Sequence, residues 1–250
     1  MTDFVVVIPA RYASVRLPGK PLRKIAGKPM IEHVYRRGME SAASSVVIAT
    51  DDERIAAVAE GFGAIVCMTG DQHRSGSERI AEVSDLLDWD DEQIVVNLQG
   101  DEPTMPARLI NQCASLLDDH RADIATLASP IASAADFDNP NVVKVIVDDN
   151  GNAIYFSRAA IPFARTDELK NAAIKAAQHH HGIYAYRCDV LRRLVNAEPS
   201  PLETAEQLEQ LRALSLGLTI RVAQAAERPG AGVDTEDDLA ATERELLERS

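Results

Sequence analysis

The 250-residue sequence is 46% hydrophobic and 26% charged, enough apolar material for a full α/β core and ordinary for a globular protein. A net charge of −13 argues against a nucleic-acid polymer as partner, and no apolar run approaches the ~20 residues that span a bilayer. Cys67, Cys113 and Cys188 form no CxxC and suggest no disulfide framework, which fits a reducing cytoplasm.

Residues 4–9 (FVVVIP) make a short β-branched run of the kind that becomes a buried parallel strand. Arg11 and Tyr12 follow at once and no basic region precedes it, so it does not read as an export signal. Met30, Ile31, Val34 and Tyr35 fall at helical spacing. Residues 46–50 (VVIAT) predict a second strand ending at Asp51 and Asp52, followed by a helix through Ile55, Ala56, Val58 and Ala59 that Gly61 and Gly63 close. Residues 65–68 predict a third strand. Ser75 and Glu78 match a capping box ahead of a helix with Ile80, Val83 and Leu87 on one face. Residues 94–99 (IVVNLQ) predict a further strand, and Pro106 suits the first turn of the next helix.

Strands alternating with helices predict an α/β fold with a doubly wound, mostly parallel sheet. In such sheets ligands bind beyond the carboxyl ends of the strands, so the loops after Ile8, Thr50, Met68 and Gln99 are expected to share one edge. The pattern changes after about Asp136. Residues 142–147 and 153–156 flank Asn150-Gly151, a hairpin signal. A loop with a short helix (162–178) and a strand (181–186) follow. We expect one domain over 1–250 in which about 136–200 forms a small antiparallel subregion. Ser200, Pro201 and Glu203 then combine a capping box with proline at the first helical position, predicting a helix to Gly217. Residues 219–223 predict a last strand and 237–249 a charged amphipathic helix.

Residues 1–31 carry six basic side chains against one acid, a local +5 that leaves −18 on the rest of the chain. The loop after the first strand holds Arg11, Ser14, Arg16, Gly19 and Lys20. Three cations and two small residues suit a phosphate cradle, although a basic surface turn has the same composition. Pro21 after Gly19-Lys20 excludes a Walker A loop. Asp101 in Gln99-Gly100-Asp101-Glu102-Pro103 ends a buried strand, where a carboxylate either holds a hard cation or caps a turn. Asp234 precedes Thr235, a helix N-cap with Asp238 three positions on. His179 and His181 share one strand face, but no further ligands are spaced for zinc.

The loop 9–21 resembles the N-terminal signature of the 3-deoxy-manno-octulosonate (Kdo) cytidylyltransferases, the CMP-Kdo synthetases. The resemblance continues through ATDDERI (49–55), HRSGSERIAEV (73–83), VNLQGDEP (96–103), NPNVVKV (139–145), YFSRAAIPF (155–163), GIYAYR (182–187), LEQLRAL (208–214) and GVDTEDDL (232–239). It implies that the anomeric hydroxyl of Kdo attacks the α-phosphorus of CTP, giving CMP-Kdo and pyrophosphate for lipopolysaccharide synthesis, with Mg²⁺ required. It assigns Arg11, Lys20, Asp101 and Asp234 to catalysis, with Asp101 and Asp234 as metal ligands. It assigns Arg11, Ser14, Arg16, Lys20, Arg74, Ser75 and Gly76 to CTP. It assigns Gln99, Arg158, Arg165, His180, Tyr184, Glu209 and Gln210 to the sugar. It further implies a cytoplasmic homodimer with no nucleic-acid or membrane partner. Arg74 stands where the family usually has Gln, and His179 where it usually has Arg. Sialic-acid cytidylyltransferases share the N-terminal loop, and a non-catalytic CTP-binding protein could share the fold. The blocks from Asn139 onward favour Kdo.

Overall fold

A computed structural model of the chain describes residues 2–13, 17–118 and 121–248. The first half comprises β1 (Phe4–Ala10), the two-residue strands β2 (Lys24–Ile25) and β3 (Lys28–Pro29), α1 (Met30–Met39), β4 (Ser45–Thr50), α2 (Glu53–Gly61), β5 (Ile65–Met68), α3 (Gly76–Leu86), β6 (Ile94–Asn97) and α4 (Ala107–Ser115). The second comprises β7 (Ile124–Pro130), α5 (Ala134–Asp138), β8 (Lys144–Val147), β9 (Ala153–Ser157), α6 (Lys170–Ala176), β10 (Ala177–Arg187), α7 (Cys188–Val195), α8 (Pro201–Glu206), α9 (Gln210–Ser215), β11 (Ile220–Gln224) and α10 (Glu236–Glu248).

Side chains alternate across a strand, and here both faces are apolar because both are covered. Phe4, Val6 and Ile8 of β1 join Val46 and Ile48 of β4 in a core layer under α1, α2 and α4. Val5 and Val7 join Val47 and Ala49 in a second layer under α3, α7 and α9. Among the described residues the main path of the sheet runs β11-β7-β10-β6-β1-β4-β5. β1 is parallel to both β4 and β6, and β4 to β5. β10 is antiparallel to β6 and β7, so the sheet is mixed and mostly parallel. The chain winds outward from β1 in both directions, so the crevice at its carboxyl end is the topological switch point.

Four expectations shift. β6 ends at Asn97, although Leu98 N still donates to Val7 O at 3.1 Å. Pro106 is the N-cap of α4, with extended backbone, one position before the first turn. The strand expected at 181–186 is the longer β10, which lies inside the main sheet. Ile183 and Ala185 reach one core layer while Tyr184 and Tyr186 reach the other, so it needs cover on both sides. Only its first residues, Ala177 to His179, pair with β8 of the β8–β9 hairpin. Finally, the single helix expected to reach Gly217 is broken at Gln207, whose φ of +53° is left-handed. Leu208 and Leu211 turn into the core beyond the break. Among the described residues no helix is long and apolar enough to cross a membrane.

Candidate active site

Two glycines shape the switch-point crevice. Gly100 follows β6 so closely past the end of β1 that a Cβ on it would meet Pro9 O at 2.8 Å. Gly19 has φ +65°, and a Cβ there would meet the Tyr12 ring at 3.2 Å. The first approach sets the loop after β6 against the end of β1, and the second folds the loop after β1 back on itself. Lys20 opens a short 3₁₀ turn that runs through Pro21 to Leu22 and ends at Arg23, whose extended backbone turns the loop away instead of continuing into a Walker-type helix.

The crevice is a cleft of about 850 Å³. Arg11, Lys20, Arg74, Ser75, Gly76, Gln99, Asp101 and Asp234 line it, which joins those predicted residues in one place. Ser14 and Arg16 lie outside the described residues. Lys20 Nζ donates to Asp101 Oδ2 at 2.7 Å and to Asp234 Oδ1 at 2.9 Å. Burial pulls the ammonium's pKa down, but the two carboxylates outweigh it and hold it above the ordinary lysine value. The loop ahead of α10 is held by Val233 N donating to Asp101 O at 2.9 Å. Thr235 caps α10 as expected: its Oγ1 accepts from Asp238 N at 3.2 Å, and its N donates to Asp238 Oδ2 at 2.9 Å. That cap presents Asp234 to the cleft.

Glu102, beside Asp101, received no role from sequence. Its carboxyl is buried, and Oε2 has no hydrogen-bond partner. Burial, then the Asp101 charge, pushes its pKa up to about 8. Carboxylate oxygens converging on one cationic point suit a hard divalent ion. Among the described residues no group of three or more His, Cys, Asp or Glu is arranged to enclose a metal. Such an ion would therefore complete its shell from a bound ligand or water.

Ser75 caps α3 by accepting from Glu78 N at 3.2 Å. The Glu78 carboxylate reaches back to Arg74 N at 2.7 Å instead of Ser75 N, so the box is offset by one residue. The Arg74 side chain is exposed and paired with Glu78 at 2.9 Å. A third arginine, Arg79, also lines the cleft and was missed. It is 4% exposed, lies 3.0 Å from Asp51 Oδ1 and hydrogen-bonds Thr69 Oγ1. Its signal was legible: a charge next to the apolar stripe of Ile80 and Val83.

A second cavity of about 340 Å³ shares Gln99 with the first. His180, Tyr184, Glu209 and Gln210 line it, together with Ser77, Asn97 and Tyr186, which sequence reasoning did not single out. The break after Gln207 puts Glu209 and Gln210 at the start of α9, where they face this space. Tyr184 Oη and Gln210 Nε2 are buried without partners, a cost that a hydroxyl-rich ligand would remove. Burial pushes the Tyr184 pKa well up and lowers that of His180 to about 3, so both are neutral. Thr126 Oγ1 spends its one proton on a carbonyl, Ile183 O at 2.7 Å, so His180 Nε2 donates to Thr126 Oγ1 at 3.1 Å.

Arg158 and Arg165 line neither cavity. The Arg158 guanidinium donates to Glu206 O at 2.8 Å and Pro140 O at 3.2 Å, and Arg165 lies exposed in the loop before α6. The His179 and His181 rings are 4.8 Å apart, as their shared face requires. His181 Nε2 pairs with Ser129 Oγ at 2.8 Å.

A switch-point cleft with a Lys-bridged carboxylate pair defines a nucleotidyltransferase-like site, and a family model described as cytidylyltransferase matches residues 5–220. A 3-deoxy-manno-octulosonate cytidylyltransferase of Idiomarina loihiensis is 52% identical over 242 residues, covering 95% of this chain and 96% of that protein. Another, from Halorhodospira halophila, is 52% identical over 248 residues, covering 97% and 96%. A solved CMP:2-keto-3-deoxy-manno-octonic acid synthetase complexed with CTP superposes with a TM-score of 0.91 at 42% identity, covering 100% of both chains. The chain belongs to the 3-deoxy-manno-octulosonate cytidylyltransferase family.

Proposed function

We propose that this protein transfers CMP from CTP to the anomeric hydroxyl of Kdo. The new bond joins the anomeric oxygen to the α-phosphorus. The bond from the α-phosphorus to the pyrophosphate oxygen breaks, and the hydroxyl proton leaves to solvent. One observation carries the reading: Lys20 sits between Asp101 and Asp234 in a cleft whose Gln99 wall also bounds a polar second cavity.

The large cleft suits CTP. Arg11 and the charged Lys20 face it, where they would neutralise phosphate charge and the charge that builds as pyrophosphate leaves. Ser75, Gly76 and Arg74 border the base side, and Asp101 and Asp234 would hold Mg²⁺ with Lys20 alongside. Bound there, Mg²⁺ would neutralise the α-phosphate and lower the pKa of the attacking hydroxyl. The second cavity suits an acidic polyol: Tyr184, Gln210 and His180 offer neutral hydrogen-bonding groups, and Gln99 stands where the two substrates meet. Arg158 and Arg165 would reach the sugar only if their loops moved toward it.

The chain is further read as a cytoplasmic homodimer. Ile154 on β9, 59% exposed, and Phe163 in the loop that follows, 87% exposed, support an association surface. Three buried free cysteines fit a reducing compartment. A monomeric mass at micromolar concentration in light scattering would contradict the dimer.

The experiment for the activity is turnover with CTP and Mg²⁺, following pyrophosphate and the sugar nucleotide by mass spectrometry. CMP-Kdo is expected. Product from sialic acid alone, or from a hexose 1-phosphate alone, would overturn the sugar assignment. CTP binding with no transfer would favour a nucleotide-sensing role.

A further inference from the structure

Glu209 ties together two elements far apart in sequence. Its Oε1 accepts from Ser75 Oγ and its Oε2 from Ser77 Oγ, each at 2.8 Å. Ser75 caps α3 and lines the large cleft, whereas Ser77 and Glu209 line the second cavity. Both carboxylate oxygens are thus engaged by the first turn of α3. On the other side, Glu209 leads directly into α9 and Gln210, whose buried Nε2 has no partner. Tyr186, stacked at 5.8 Å on Tyr184, also lines this wall. Ser75, Glu209 and Ser77 therefore form one hydrogen-bonded link between the two cavities, with Glu209 in the middle and Gln210 next to it along the chain.

Taking the two cavities as the CTP and Kdo sites, on which this rests, we propose that Glu209 is a positioning residue that couples them. A nucleotide held against the Ser75–Gly76 turn sets the α3 end of that link. Glu209 transmits that placement to Gln210 and the sugar wall. Coupling between sites is reciprocal, so Kdo in turn favours the same arrangement of the turn.

The test measures Kdo affinity by calorimetry, with and without a saturating CTP analogue that carries a methylene bridge between the α- and β-phosphorus atoms. The analogue cannot release pyrophosphate. In the unaltered protein it is expected to tighten Kdo binding about tenfold. In Glu209→Ala that factor falls below about twofold, Ser77→Ala removes part of it, and Glu209→Gln restores most of it. A strut that merely stabilised the fold would weaken each ligand separately and leave the factor unchanged. An unchanged factor in Glu209→Ala, or no coupling in the unaltered protein, overturns the inference. If Glu209→Ala does not fold, Ser77→Ala decides: an undiminished factor there is equally fatal. Turnover of CTP with Kdo is measured first. No CMP-Kdo from the unaltered protein overturns the function and this inference together, whereas normal turnover without coupling overturns this inference alone.

Discussion

Lys20 Nζ lies 2.7 Å from Asp101 Oδ2, a contact made across 81 residues of chain. The same ammonium reaches Asp234 Oδ1 at 2.9 Å, so one cation joins the first strand's loop, the sixth strand's loop and the approach to the last helix. The Lys20 side chain is 12% exposed, which keeps the pair from being screened like a surface ion pair. Lys20→Met is expected to lower kcat by about 10²–10³-fold, the usual loss when one preorganised cationic donor is removed. Steady-state pyrophosphate release checks this. A drop of less than about threefold would remove Lys20 from the chemistry.

Gly100→Ala tests how the loop after β6 is set against the end of β1. A Cβ at Gly100 would stand 2.8 Å from the Pro9 carbonyl oxygen, and backbone cannot swing aside as a flexible side chain can. The loop carrying Asp101 must shift. We expect kcat to fall at least about tenfold, since small displacements of a positioned group are costly. Circular dichroism should show the fold retained. Wild-type kcat in this variant would mean that the loop tolerates the shift.

The α8–α9 break is held by a buried ion pair. Arg212, with a side chain 5% exposed, donates from Nε to Glu203 Oε2 at 2.8 Å and from Nη2 to Glu203 Oε1 at 2.5 Å. Glu203 also closes the capping box on Ser200. Arg212→Met leaves Glu203 buried without its partner and is expected to cost about 3 kcal/mol. Ser200→Ala removes one cap bond and should cost about 1 kcal/mol. Urea denaturation measures both, and equal costs would mean that the pair contributes no more than the cap.

Acid sensitivity follows from β10. Burial, and then its neighbour His179, lowers the His181 pKa to about 4, against an unfolded value of 6.5. Above pH 6.5 both states are neutral at this residue and its full contribution is present. Between pH 6.5 and about 4 the unfolded chain binds a proton that the folded chain refuses, so stability falls as pH falls. Burial lowers His180 and His179 as well, which steepens the same limb. His181→Gln can keep a hydrogen bond to Ser129 and should flatten the slope of unfolding free energy by at most about 1.4 kcal/mol per pH unit. Denaturant titrations at pH 7, 6 and 5 give that slope. An unchanged slope would mean that His181 titrates normally in the fold.

Much of this protein was legible from its sequence because local rules acted alone there. Val5 to Ile8 could only be a strand buried on both faces, and Ser200 with Glu203 could only open a helix. Lys20, Asp101 and Asp234 stood out locally only as polar residues at the ends of predicted elements, and it was the resemblance to a known family that singled them out for catalysis. The blocks matching a known family supplied the nucleotide and the sugar. Tertiary structure alone decided the rest, because it depends on residues meeting across long separations. It inserted β10 between β6 and β7, since a strand with apolar side chains on both faces needs cover from both layers. It broke the helix at Gln207, where core packing of Leu208 and Leu211 outweighs a continuous helical pattern. It turned Arg158 onto backbone carbonyls and engaged both carboxylate oxygens of Glu209 with Ser75 and Ser77. It also buried Arg79 and Glu102 beside the cleft. The sequence alone determined which chemical groups this protein carries to its active edge; which of them remain available to a substrate was decided by the partners that folding brought within 3 Å.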